Sequence, residues 1–112
     1  MSVAAPDKLL SSITGAFELS KTETGRLFGV SRQAIGEWEQ GGIPSARKAK
    51  ASAIASIADL LSHRLKRERV AGIARRPALA YGGLSMLEMI EDDRHEELLE
   101  LTRQSFEWAR AV

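Results

Sequence analysis

The chain has 112 residues, 44% of them hydrophobic and 28% charged, the balance of one ordinary globular domain or two very small ones rather than of a disordered segment. Its 16 Lys/Arg against 15 Asp/Glu give a formal charge of +1, so bulk charge does not mark a nucleic-acid binder, and the lack of cysteine excludes disulfides, thiolate catalysis and cysteine-based metal sites. No apolar run approaches the ~20 residues of a membrane span, and the opening MSVAAPDK has neither the basic start nor the apolar centre of a signal peptide, so a cytoplasmic protein without membrane contact is expected.

Nearly every segment has helical periodicity. Leu9, Leu10, Ile13 and Phe17 repeat at helical spacing after Pro6, which predicts a first helix from Asp7. Ser20 and Glu23 are placed for a capping box opening a short second helix, which Gly29 stops at Leu27 or Phe28. Ser31 caps a third helix running through Glu39 and ended by Gly41-Gly42. After an extended Ile43-Pro44 connector, Ser45 is read as the cap of a fourth and longest helix, with the stripe Ile54, Ile57, Ala58, Leu61 and Leu65. The stretch RLKRERVAGIARR either extends that helix or forms a separate one. PALAYGG reads as an irregular loop, Ser85 and Glu88 as the box of a short helix to about Glu91, and the last helix begins near Asp93. Leu98, Leu101 and Trp108 line one side of it, flanked by Leu99 and Phe106.

The charge is unevenly spread: nine Lys/Arg against two Asp/Glu fall between residues 47 and 76, and three against eight between 77 and 112. A basic middle beside an acidic tail suggests two surfaces with different partners. Catalysis has little to work with. His63 and His95 lie far apart without clustered partners, and no phosphate-cradling glycine loop is present, so neither an enzyme, a metal site nor a cofactor is expected.

The segment TGRLFGVSRQAIGEW has the parts of a helix-turn-helix: a first helix, a glycine turn and a second helix offered to a major groove. Gly25 gives a small residue where the helices approach, Gly29 the turn and Val30 a plug. Ile35 and Trp38, three apart, face the core, which leaves Arg32, Gln33, Gly36 and Glu37 outward. Arg pairs with guanine, Gln with adenine, and Glu accepts from the cytosine amino group. The helix starts near Lys21, Thr22 and Ser31 can donate N–H groups to phosphates, and Arg47, Lys48 and Lys50 follow closely enough to flank the same strand.

SKTETGRLFGVSRQAIGEWEQG resembles the Cro/C1-type (Xre-type) helix-turn-helix, whose second helix ends in a capped SxxxIxxWExG pattern that Ser31, Ile35, Trp38, Glu39 and Gly41 match. Thr24 stands where that family has leucine, and the connector from Gly41 to Pro44 is shorter than usual. The resemblance implies a lambda-repressor-like bundle over residues 1–65, with Arg32, Gln33 and Glu37 as base readers and Lys21 as a phosphate contact on a double-stranded operator.

RRPALAYGGLSMLEMI is similar to the loop and short helix of the Xre/MbcA/ParS-type toxin-binding domain through Arg76, Pro77, Ala80, Gly82, Gly83, Ser85 and Leu87. That likeness implies an all-α protein whose residues 66–112 form a small helical toxin-binding or dimerisation domain. It also implies a type II antitoxin that represses its own operon and neutralises a toxin encoded by a neighbouring gene, commonly a RES-domain enzyme acting on NAD. Arg75, Arg76, Gly82, Gly83, Phe106 and Trp108 are the candidate toxin contacts, although the terminal aromatics are equally readable as core or as dimer interface. A homodimer follows from the two half-sites that major-groove readers usually bind. Two other readings stay open: a stand-alone regulator whose C-terminal helices only dimerise, and an adaptor whose helix-turn-helix no longer touches DNA.

Overall fold

The computed structural model describes the backbone of residues 8–111 and side chains through residue 107, so Pro6, Asp7 and the Trp108 side chain lie outside the described residues. These residues are all-helical: α1 (Lys8–Phe17), α2 (Lys21–Phe28), α3 (Arg32–Gly41), α4 (Ser45–Arg64), α5 (Arg67–Ala74), a 3-10 turn (Leu79–Tyr81), α6 (Met86–Glu91) and α7 (His95–Ala111). No helix among the described residues is long and apolar enough to cross a membrane.

α4 is the central element, packed by α1, α5 and α7, while α2 lies against both α3 and α6. The expected stripes supply the core. Leu10, Ile13 and Phe17 of α1 meet Ile54, Ile57, Ala58 and Leu61 of α4, together with Val70 and Ala74 of α5 and Leu98 of α7. The basic stretch after Leu65 is thus a separate helix. The boundary expected near residue 65 falls at the α4–α5 junction, yet segments on both sides of it enter one buried cluster.

Four local expectations need correction. α3 runs two residues further than Glu39, to Gly41, before Gly42 at φ 94° ends it. Ser45 does not cap α4: Pro44 takes the cap position and its carbonyl accepts the Arg47 N–H at 2.9 Å, closing the first turn one residue early. PALAYGG is ordered around the 3-10 turn rather than irregular throughout. α7 starts at His95, because Asp93 sits at φ 59°, outside the helical region, where the chain folds back to let the Arg94 N–H donate to the Met89 carbonyl.

Lys50 is also not where the sequence put it. Instead of flanking a strand of DNA it is buried on the apolar side of α4. Its ammonium donates to Asp93 Oδ1 at 2.6 Å and lies 5.9 Å above the Phe28 ring. A lysine taken out of water needs such partners, and this one fastens α4 to the α6–α7 turn.

His95 stands beside that pair, with its Nδ1 buried and without a hydrogen-bond partner. Burial and then the Lys50 ammonium hold the imidazole below its ordinary 6.5, against the pull of Asp93 and Glu96. The Lys50 hydrogen bond and charge hold the Asp93 carboxyl below 3.8, and the Ser20 backbone N–H, helped by Arg75, holds Glu23 below 4.5.

All three shifts make the unfolded chain bind protons first, so stability falls on acidification. The His95 contribution is complete above 6.5 and declines below it. The carboxylate contributions are complete above 4.5 and decline below it. Thermal melting followed across this range is expected to show both phases, and His95→Gln to remove the upper one. A wild-type melting temperature that stays flat from neutrality to about pH 5.5 would contradict the assignment.

Candidate nucleic-acid interface and C-terminal surface

The capping box expected at α2 is complete: the Glu23 N–H donates to Ser20 Oγ at 3.1 Å and the Ser20 N–H to Glu23 Oε1 at 3.0 Å. Thr24 is fully buried and donates its hydroxyl to the Ser20 carbonyl at 2.8 Å, so this polar residue is satisfied at the start of α2. Gly29 takes φ 69°, and the Val30 N–H returns to the Gly25 carbonyl at 2.8 Å. Ser31 then opens α3, its Oγ accepting from the Ala34 N–H at 3.1 Å. That hydroxyl belongs to the cap, which leaves the helix-start amides as Ser31's contribution to any ligand.

Ile35 is fully buried and Trp38 is 8% exposed. The indole meets Phe28 edge to face, with centroids 5.3 Å apart and planes at 79°. Seated this way, α3 turns Arg32, Gln33 and Glu37 to solvent with Gly36 between them. Among the described residues, those three side chains have no hydrogen bond or ion pair with the rest of the protein. They form an outward polar row on a helix fixed from behind.

Lys21 borders that row. Its Nζ is 3.9 Å from where a Cβ on Gly36 would stand, and 3.1 Å from Glu39 Oε1. Both partners of that pair are about half exposed, and such pairs are worth under ~1 kcal/mol, so a phosphate could readily take the lysine. Thr22 and Lys48 are exposed. Arg47 is partly buried, and its guanidinium donates to the Phe28 carbonyl at 2.7 Å, which closes the C-terminal end of α2. The sequence signal for Arg26 was missed: exposed and unpaired, it lies four residues after Thr22 on the polar face of α2.

On the C-terminal side the candidates part. Arg75 is held by the protein itself, donating to the carbonyls of Phe17 (2.7 Å), Ala71 (2.9 Å) and Glu18 (3.1 Å) and to Glu23 Oε2 (3.2 Å). Neighbouring Arg76 is exposed and unpaired. Gly82 and Gly83, at φ 66° and 86°, shape a closed knuckle in which Ala78 N–H donates to the Leu84 carbonyl and Gly83 N–H to that of Ala78. At its tip Leu79 is 97% exposed, a residue the sequence reading did not single out. The only hint was a leucine between a proline and a glycine pair, outside any periodic stripe. Phe106 is partly buried on α7, with the Arg64 guanidinium 5.3 Å over its ring, so its contacts join α7 to the end of α4. The structure therefore brings Lys21 to the margin of the Arg32, Gln33, Gly36 and Glu37 row, while Phe106 packs with Arg64 at the end of α4.

The fold has a counterpart among solved structures. The chain is similar in fold to a chain of the crystal structure of the M. tuberculosis MbcT-MbcA toxin-antitoxin complex, with a TM-score of 0.66 over 87% of this chain and 92% of that one. At 22% identity the likeness is one of fold. By sequence, no family model matches the chain and none of the curated proteins does.

Proposed function

We propose that this protein is the antitoxin of a type II toxin-antitoxin pair: a cytoplasmic homodimer that represses its own operon through α2 and α3 and neutralises a toxin through its C-terminal helices. The observation that carries the reading is the outward, unpaired row Arg32, Gln33 and Glu37 on a helix seated by Ile35 and Trp38. In support, the fold it sits in is shared with a chain of a toxin–antitoxin complex over nearly its whole length. The similarity of residues 75–90 to the Xre/MbcA/ParS pattern favours a RES-type, NAD-consuming partner. Phe106 and the Gly82–Gly83 knuckle are the surfaces assigned to it, with Trp108 assigned from sequence alone.

Two measurements test this. A mobility shift with the duplex upstream of its own reading frame is expected to show specific binding. Arg32→Ala should weaken it by about 1–3 kcal/mol and relax preference at a single base pair. Co-expression with the product of the adjacent gene should give a stable complex and relieve that product's toxicity. Absence of a shift at low salt removes the repressor role, and absence of a complex with either neighbouring product removes the antitoxin role.

A further inference from the structure

Glu39 opposes the work expected of the helix that carries it. In the reading above α3 faces a polyanion, yet of the four charges at its row, Lys21, Arg32, Glu37 and Glu39, two are negative and the sum is zero. Among the described residues Glu37 has no partner, as suits a side chain that accepts from a base. Glu39 is different. Its Oε1 lies 3.1 Å from Lys21 Nζ, and that ammonium, reaching over from the start of α2, lies 3.9 Å from where a Cβ on Gly36 would stand. The carboxylate therefore holds the lysine at the edge of the row. Both side chains are about half exposed, so the pair is of the weak surface kind, given up when another anion comes to bonding distance.

Resting on the DNA-binding reading above, we infer that Glu39 is a specificity-determining residue that acts through Lys21, as an internal stand-in for a backbone phosphate. On a matched duplex, the base contacts of Arg32, Gln33 and Glu37 seat α3 and bring a phosphate to the ammonium, which leaves the carboxylate for it. On an unmatched duplex, held only by long-range attraction, the phosphates stay hydrated and Lys21 stays with Glu39. One cation is thus withheld from sequence-independent binding, which draws its strength from counterions released at phosphate contacts. Specificity is a difference of two affinities, so weakening the wrong complex raises it as surely as strengthening the right one.

The test measures affinity for the upstream duplex, and for a shuffled duplex of equal length, over a series of salt concentrations. Wild type, Glu39→Gln, Lys21→Ala and the double variant are compared, each with its melting temperature. Glu39→Gln is expected to steepen the slope of log affinity against log salt by about 0.9 on the shuffled duplex, roughly a 3.5-fold larger loss of affinity between about 50 and 200 mM salt. The slope on the upstream duplex should stay as it was, and the ratio of specific to shuffled binding should fall. In the Lys21→Ala background, Glu39→Gln should leave the shuffled slope unchanged. Glu39→Ala should repeat the Glu39→Gln result, with melting temperatures close to wild type. A shuffled slope that Glu39→Gln does not move, or moves equally with Lys21 absent, overturns the inference and leaves the repressor reading standing. So does equal steepening on both duplexes. A wild type that binds neither duplex, or both alike, removes the repressor reading and the inference with it.

Discussion

Trp38→Ala is expected to cost about 3–5 kcal/mol of folding stability, the usual range for emptying a buried aromatic site. The indole is 8% exposed and contacts Phe28 edge to face at 5.3 Å, an arrangement worth ~0.5–1.5 kcal/mol beyond the area it buries. Ile35, the other anchor, cannot close the void alone because it already sits fully buried one turn earlier. The loss falls on the seat of α3, so at temperatures where most helical signal remains, operator affinity should fall further than Arg32→Ala lowers it. Trp38→Phe keeps the ring and should keep most of both. Chemical denaturation followed by circular dichroism gives the stability, and a mobility shift at low temperature gives the affinity. A loss below ~1 kcal/mol, within the range of ordinary surface substitutions and small core trims, would mean that α3 is not held by its tryptophan, and the outward row would lose its fixed geometry.

Much of this arrangement was legible beforehand, for physical reasons that differ between elements. Caps are local. The boxes at Ser20–Glu23 and Ser85–Glu88 close over three residues, so sequence alone specifies them, and both form. The apolar stripes of α1 and α4 are nearly as local, and they bury Leu10, Ile13, Phe17, Ile54, Ile57, Ala58 and Leu61, while Leu9 is partly buried at the margin and Leu65, also partly buried, stands just past the end of α4 in extended backbone. Ser45 failed for an equally local reason, since a preceding proline with extended ψ can take the cap position itself.

Long-range pairings were the part that could not be read. Lys50 lies one turn before Ile54 on the buried stripe of α4, so its burial had a signal, but its partner Asp93 stands 43 residues away. The clasp of Arg75 on Phe17, Glu18 and Glu23 spans more than 50 residues. Neither is implied by periodicity or motif. Both set how distant segments are placed: the first ties the α6–α7 turn to the Phe28–Trp38 stack, and the second holds the end of α5 to the end of α1 and to Glu23 of α2. That is why the sequence grouped Arg75 with Arg76, whereas the structure separates a residue used for assembly from one left free. On α3 nothing long-range was needed beyond the burial of Ile35 and Trp38, and there the outward row appears as expected.

Gly25 should tolerate a side chain poorly because of close backbone approach. A Cβ built there stands 2.5 Å from the Val30 carbonyl oxygen and 3.3 Å from the Ser31 carbonyl carbon, both backbone atoms that no side-chain rotation can move away. The turn cannot easily retreat, because the Val30 N–H is bonded to the Gly25 carbonyl at 2.8 Å and Ser31 caps α3 immediately afterwards. Gly25→Ala gains up to ~1 kcal/mol of helix propensity but must push the two helices apart, so a net loss of about 1–3 kcal/mol is expected. Gly25→Val, with two further methyls and no propensity gain of that size, should lose more than Ala does. Gly15 is the matched control: it lies inside α1, and a Cβ there would meet nothing within 4 Å. Gly15→Ala is therefore expected to stabilise the protein by up to ~1 kcal/mol. Opposite signs at the two positions, measured by denaturant titration, would locate the strain in the α2–α3 turn. If both alanine variants gained stability alike, that turn would be looser than its hydrogen bonds require, and α3 would not be held at one fixed angle to α2.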